Sequence, residues 1–390
     1  MRIALDGYVL RFPRTGIVNY GFAVARGYRA RLADDAFRIL VGDRDVTAGE
    51  IREFLAVGDV VPILDRSRES LIEKLRRKFT NNVFSNVMPG LGTAVNGATR
   101  GFDVYHCTDW FFEPSRHARL NVITAFDLTT TLFPQFHEEL NITKERMKLQ
   151  RIADYDFVFC ISAATREDLI RNASVDPERV LVNYIDTDPI FDQASYTSRE
   201  AVTAKYEVPE GFRYLLSVST IEPRKNFMGV LDAFGEFLRA NPDAPYVLLC
   251  TGMWGWRNDE LNDYLTRCGF ADRVIFTGFV DLADLPSLYR HADCFMYLSF
   301  YEGFGLPILE AMKSNCPVIC SNTSSMPEVI GDAGIQVTPP DVEQTAQAIA
   351  TVVGDAAKAD GMRAAGLERS KMFSWQGHLD LLIQTYERAL

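Results

Sequence analysis

Short apolar runs and helix-length amphipathic segments alternate along nearly the whole chain. The runs lie at 2–6 (RIALD), 37–41 (FRILV), 103–106, 121–126 (NVITAF), 157–161 (FVFCI) and 179–183, with helical periodicity at 16–32 and 164–172 between them. This rhythm predicts a parallel sheet covered on both faces, because parallel strands need a crossover and a helix supplies it. At 184–212 the rhythm stops, and scattered turn residues read as a connection. It resumes with YLLSVS (214–219), a helix near 226–240, YVLLCTG (246–252), a helix near 258–267, VIFTG (274–278), CFMYLS (294–299) and PVICS (317–321). The expectation is α/β, with two doubly wound domains at 1–190 and 205–370. Tandem sheets of this kind place a cleft at the C-terminal ends of their strands. Residues 373–390 put Trp375, Leu379, Leu382 and Tyr386 on one stripe, which predicts an amphipathic C-terminal helix.

A length of 390 residues fits two domains. The 41 Lys and Arg against 52 Asp and Glu leave a net charge of −11, which argues against nucleic acid as a partner. No stretch approaches the ~18 apolar residues of a membrane span. MRIALDGYVL reads as a first strand, not as a signal peptide. The seven cysteines are odd in number, form no C-x-x-C, and five lie in or beside apolar runs. They are expected to be buried free thiols in a reduced, cytoplasmic protein. One segment runs against the overall charge. Within 65–79, Arg66, Arg68, Lys74, Arg76, Arg77 and Lys78 outnumber Asp65, Glu69 and Glu73, while Leu71, Ile72, Leu75 and Phe79 share a helical face. Such a helix at 66–78 suits the anionic inner face of a membrane; the alternative is an ordinary solvated helix.

Two regions carry candidate chemistry. Ser219-Thr220-Ile221-Glu222-Pro223-Arg224-Lys225-Asn226 follows a strand and precedes a helix. Adjacent cations beside a helix N-terminus suit a phosphate, although many surface loops carry similar charges. The second is Phe300-Tyr301-Glu302-Gly303-Phe304-Gly305-Leu306-Pro307-Ile308-Leu309-Glu310, after CFMYLS. Gly303 and Gly305 let backbone approach a ligand, and Pro307 suits the first turn of a helix. Glu302 and Glu310 place two carboxylates where they can grip sugar hydroxyls; the bland reading of Glu310 is an offset to the helix dipole. Three D-x-D matches (Asp43-Arg44-Asp45, Asp154-Tyr155-Asp156, Asp186-Thr187-Asp188) are read as chance in an acidic chain, and the five histidines lack zinc spacing. No metal site is assigned. Trp110, after a strand end, is open between core packing and stacking on an acceptor sugar.

The spacing Glu302–Glu310 resembles the E-x7-E motif of retaining glycosyltransferases of family 4, which have the GT-B fold. STIEPRKN resembles that family's diphosphate-binding segment. VIFTGFV (274–280) and SSMPEVIGDAG (324–334) resemble its donor domain, and TGIVNYGFAVARGY (15–28) and VITAFDLTTTLFP (122–134) resemble its N-terminal domain. The resemblance implies two Rossmann-like domains facing across a cleft, the first taking the acceptor and the second the sugar nucleotide. It implies that Arg224 and Lys225 contact the donor diphosphate, Glu310 the ribose, and Glu302 the hexose with the backbone of Gly303, Phe304, Gly305 and Leu306. Gly16 would let a loop close on the phosphates, and Gly278, Phe279 and Val280 would border the base. It implies no cofactor and no required metal, and a glycan or polyprenyl-linked glycan as acceptor, with GDP-mannose as the first donor to test. One departure matters: Phe126 stands where the family commonly has a histidine before Asp127. Phenylalanine cannot donate, accept or carry a proton. Either the role is absent, or Asp127 or His106 fills it, although a lone histidine is more often structural. Competing readings are a sugar-nucleotide 2-epimerase of the same architecture and an inactive sugar-nucleotide-binding partner.

Overall fold

The computed structural model describes residues 1–11, 16–33, 35–41, 44–46, 98–108, 113–192, 195–255 and 259–390. The basic segment 66–78 and Trp110 lie outside the described residues. The chain forms two compact units, Met1–Ile185 with Ser374–Leu390, and Asp186–Phe373.

Among the described residues the first unit has seven strands, β1 (Ile3–Asp6), β2 (Phe37–Val41), β3 (Arg44–Val46), β4 (Val104–Cys107), β5 (Leu120–Ala125), β6 (Phe157–Cys160) and β7 (Val180–Val182). Their order is β3-β2-β1-β4-β5-β6-β7. All neighbours are parallel except β3, which turns back along β2 with Val46 opposite Ile39. The short β3 carries Arg44-Asp45-Val46, whose charges hid it from the apolar pattern. Helices α1 (Gly16–Arg31), α2 (Glu139–Arg151) and α3 (Ala163–Asn172) serve this unit. Because a parallel sheet is covered on both faces, its strands are apolar on both. Tyr105, Cys107, Ile123, Val158 and Cys160 pack there as one buried cluster.

The C-terminal helix, Trp375–Ala389, also belongs to this unit. Ser374 caps it, its hydroxyl accepting from the Gly377 N–H. Leu379, Leu382 and Tyr386 are buried. Leu379 sits over Gly27 of α1, where an added Cβ would stand 2.1 Å from Leu379 Cδ1. The glycine thus permits the close approach of two helices.

The second unit is wholly parallel, with β8 (Arg213–Val218), β9 (Tyr246–Thr251), β10 (Val274–Gly278), β11 (Cys294–Tyr297), β12 (Val318–Ser321) and β13 (Ile335–Val337). Its order is β10-β9-β8-β11-β12-β13. The chain winds outward from β8 in one direction and from β11 in the other. The point of reversal lies between β8 and β11, where doubly wound sheets take ligands. Helices α4 (Phe227–Ala240), α5 (Leu285–His291), α6 (Leu306–Lys313), α7 (Val342–Gly354) and α8 (Ala356–Ser370) cover it. Leu231, Phe234, Leu248 and Ile349 share its core.

The segment expected to be a connection, 184–212, contains a 3-10 turn at Pro189–Asp192 and a helix at Arg199–Lys205. From Asp186 onward it is part of the second unit. Its buried apolar residues, Ile185, Phe191, Val202 and Val208, follow no strand or helix period, so no pattern announced them. None of the seven cysteines forms a disulfide, and six are buried.

Candidate functional site

The loops after β8 and β11 meet in the second unit. Pro223 opens a 3-10 turn, Pro223–Lys225, where its missing N–H costs nothing. Asn226 then adopts φ 55°, ψ 44° and caps α4, its side-chain oxygen accepting from the Gly229 N–H at 3.2 Å. Asparagine tolerates this left-handed conformation better than other side chains. The turn therefore presents Arg224 and Lys225 at a fixed angle. The return of β9 toward this loop is equally constrained. Gly252 has φ 143°, and a Cβ there would stand 2.0 Å from the Ser219 carbonyl oxygen.

Both cations converge on Glu302. Lys225 Nζ lies 2.6 Å from Glu302 Oε1 and donates to the Tyr297 hydroxyl at 3.1 Å. The Arg224 guanidinium reaches Glu302 Oε2 at 3.0 Å, Glu222 Oε1 at 2.8 Å and the Tyr301 carbonyl at 2.8 Å. Two carboxylates thus balance two cations in a nearly dry cluster. Glu302 is 8% exposed. Burial alone would raise its carboxyl, but Lys225 and then Arg224 overcome this and hold it at about 2. It is therefore ionised at neutral pH. Burial pulls the Lys225 ammonium below its ordinary range, and Glu302 opposes that pull.

The backbone at Glu302 is braced from Thr323–Ser325. Ser324 Oγ accepts from the Glu302 N–H at 3.1 Å and also bonds the Glu302 carbonyl. Ser325 Oγ donates to the carbonyls of Glu302 at 2.9 Å and Phe304 at 2.8 Å, and Thr323 Oγ1 to that of Phe300 at 3.0 Å. Gly305, at φ 97°, turns this loop into α6, whose first residue is Leu306. The side chain of Phe304 faces inward, edge-on to Phe373, which leaves only its backbone for a ligand. Glu310, on α6, accepts from the Tyr289 hydroxyl through Oε2 at 3.0 Å. Burial raises its carboxyl to about 7. Gly278 ends β10 at φ 67°, followed by the exposed Phe279 and the buried Val280.

The first unit holds the remaining candidates. Gly16 is the exposed first residue of α1. Asp127 Oδ1 accepts from both the N–H and the hydroxyl of Thr129, at 2.9 and 2.6 Å, so it braces the turn after β5. Phe126 is buried, edge-on to Tyr20 at 5.0 Å.

The structure corrects the reading of His106 as a site residue. It lies within β4, fully buried, because both faces of this sheet are interior. Its Nδ1 meets the Tyr28 hydroxyl at 2.8 Å and its Nε2 the Thr124 hydroxyl at 2.9 Å, and burial pushes it down to about 3. Both nitrogens of this neutral imidazole are thus engaged by hydroxyls of the core.

Sequence reasoning missed Glu222 as a partner of Arg224, and it missed Tyr289, Tyr297, Thr323, Ser324 and Ser325. Glu222 lay inside the quoted motif and could have been found there. Tyr297 lies in CFMYLS, which reads only as a strand, and nothing in the sequence around Tyr289 singles it out.

Comparison with known proteins identifies the family and the fold. Residues 198–369 match the family model described as glycosyl transferases group 1. The chain is 33% identical over 286 residues to the O-antigen chain mannosyltransferase B of Escherichia coli, covering 73% of this chain and 74% of that protein. It is 30% identical over 249 residues to the serotype-specific mannosyltransferase WbdA of Escherichia coli, where it covers 62% of this chain but only 30% of the relative. The fold matches that of Anabaena HepE, solved in complex with UDP and glucose, with a TM-score of 0.71 at 18% identity over 99% of both chains. Two doubly wound units, the clustered cations and carboxylates of the second unit and these relatives lead to one family: the chain is a member of the group 1 glycosyl transferases, built on the GT-B fold.

Proposed function

We propose that the protein is a retaining hexosyltransferase of family 4 that moves a hexose from a nucleoside-diphosphate sugar, GDP-mannose first among candidates, to a glycan or lipid-linked glycan. The observation that carries this is the convergence of Arg224, Lys225 and Glu302 at the switch point of the second sheet, with Glu310 on the helix that follows the Glu302 loop. Lys225 carries three N–H donors and uses two, on Glu302 and Tyr297, which leaves one for a phosphate oxygen. Arg224 and Lys225 would stabilise the charge that develops on the departing diphosphate, which lets the reaction proceed without a required metal. Glu302 would accept from hexose hydroxyls, and Glu310 from the ribose. In a retaining transfer the departing phosphate can itself take the acceptor proton, so Phe126 in place of a histidine is compatible with activity. The mannosyltransferase relatives support the choice of mannose, and UDP in the HepE structure makes UDP-sugars the comparison set.

The test is a panel of sugar nucleotides followed by product analysis. Slow release of free nucleotide, accelerated by a glycan acceptor, is the expected result, with GDP-mannose the fastest donor. Interconversion of intact sugar nucleotides would establish the epimerase instead, and binding without turnover an inactive partner. Because an ionised Glu310 accepts more strongly from a diol than a protonated one, nucleotide affinity is expected to rise as pH increases through about 7. We also propose that the basic segment 66–78 holds the enzyme at an anionic membrane. Arg76, Arg77 and Lys78 changed to Glu should reduce sedimentation with anionic vesicles, and unchanged sedimentation would refute it.

A further inference from the structure

The E-x7-E spacing names Glu310 but says nothing of what aims it. Glutamate has three free torsions, and a carboxylate that must meet two vicinal hydroxyls gains from being held before the ligand arrives. Glu310 is held by one hydrogen bond from outside its own helix. Tyr289, on α5, donates its hydroxyl to Glu310 Oε2 at 3.0 Å. Its ring is fully buried and fixed edge-on by Phe295 of β11, with centroids 5.1 Å apart at 82°, and by Phe191 of the 189–192 turn, 6.1 Å apart at 62°. A ring packed on two sides keeps its hydroxyl at one point. Oε1 of Glu310 has no hydrogen-bond partner among the described residues, and Glu310 is only partly buried. One carboxylate oxygen is therefore anchored and the other presented.

We propose that Tyr289 is a positioning residue that fixes the Glu310 carboxylate for the two ribose hydroxyls of the nucleotide. The inference rests on the reading of Glu310 as the ribose contact. Two side chains bear on its charge. Tyr289 faces Glu310 from α5 and favours its ionised form, whereas Asp188, from the segment before α4, opposes it. Lys313, one turn along α6, is committed to Asp186 and Asp192, each at 2.7 Å. Removing the Tyr289 hydroxyl thus withdraws the one donor that favours the charged carboxylate.

The experiment is calorimetric titration with GDP or UDP, whichever the wild-type protein binds, and with its 2′,3′-dideoxy form, across pH 5.5 to 8.5. For Tyr289→Phe, we expect a roughly tenfold loss of nucleotide affinity at pH 7, the size of one lost charge-assisted hydrogen bond. We also expect a midpoint of the pH dependence moved upward and a reduced preference for the ribose over the dideoxy form. Glu310→Gln should lose that preference, and adding Tyr289→Phe to it should change little further, because the tyrosine acts through the glutamate. If Glu310→Gln keeps the preference for ribose, the ribose reading of Glu310 is wrong. If Glu310→Gln loses it while Tyr289→Phe retains both preference and pH profile, the positioning role is wrong. Phe191→Leu loosens the ring without removing the hydroxyl and should move affinity and preference in the same direction by less. Full retention there together with a normal Tyr289→Phe variant would also overturn the proposal.

Discussion

Lys225→Met is expected to lower transfer by about 10² to 10³-fold, the usual consequence of removing one donor aimed at developing charge. It is also expected to destabilise the second unit. Lys225 and Arg224 together hold the buried Glu302 carboxylate ionised. Taking one cation away leaves a buried charge half compensated, and breaking such a pair typically costs about 3–5 kcal/mol. The carboxyl of Glu302 must then climb from about 2 toward its ordinary range, since burial and the lost partner now act in the same direction. The double variant Lys225→Met with Glu302→Gln separates the two effects. It restores neutrality at similar volume, so thermal stability should return most of the way to wild type while transfer stays lost. Melting curves and nucleotide-release assays on the three proteins provide the check. Transfer at the wild-type rate in Lys225→Met would remove the lysine from the leaving-group site.

The same cluster bears on the order of events at the site. In the second unit, Glu302 pairs with both cations that the proposed function assigns to a diphosphate. A diphosphate must share or displace that carboxylate, which would free Glu302 toward the hexose. Binding of the phosphates and presentation of the sugar contact are in that case one exchange. This follows from the charge balance of Glu222, Arg224, Lys225 and Glu302, and the contiguous motifs could not reveal it. Sequence placed each residue on its loop, but pairing depends on the meeting of two loops separated by more than seventy positions.

The same distinction explains which parts of the fold were readable. Long apolar runs such as YVLLCT (246–251) and FVFC (157–160) appear as strands because they are buried on both faces. Residues 335–337 (IQV) form a strand of only three residues, with no period to detect. Nothing in the sequence singles out Tyr289, whose ring is part of the core. Only its hydroxyl matters to Glu310, and nothing local distinguishes a tyrosine chosen for its ring from one chosen for its oxygen. His106 shows the reverse error. Its place near a strand end suggested access to a cleft, but position along a strand does not tell which way a side chain points.

His106 instead belongs to a polar network that ties the C-terminal helix into the first unit, and this network makes that unit sensitive to acid. The Tyr28 hydroxyl meets His106 Nδ1 and the Tyr386 hydroxyl, each at 2.8 Å. Tyr20 shares Thr124 with His106 and meets His378 Nε2 at 3.3 Å, while His378 Nδ1 meets the Tyr184 carbonyl at 3.0 Å. Burial holds His106 at about 3 and His378 at about 4, each far below the ordinary value near 6.5. Between those values the unfolded chain binds protons that the folded unit refuses, so stability falls as pH falls. The full contribution is present above about pH 6.5 and is lost progressively toward the folded values. For two such groups the loss between pH 6.5 and pH 5 is roughly 3 kcal/mol. Hydrogen exchange should therefore show amides of Trp375–Ala389 and β4 opening well before those of β8 and β11 as pH is lowered. His106→Gln with His378→Asn, although less stable at pH 7, should lose stability less steeply over that interval by about two protons. Equal slopes in the two proteins would mean that these histidines do not carry the acid response.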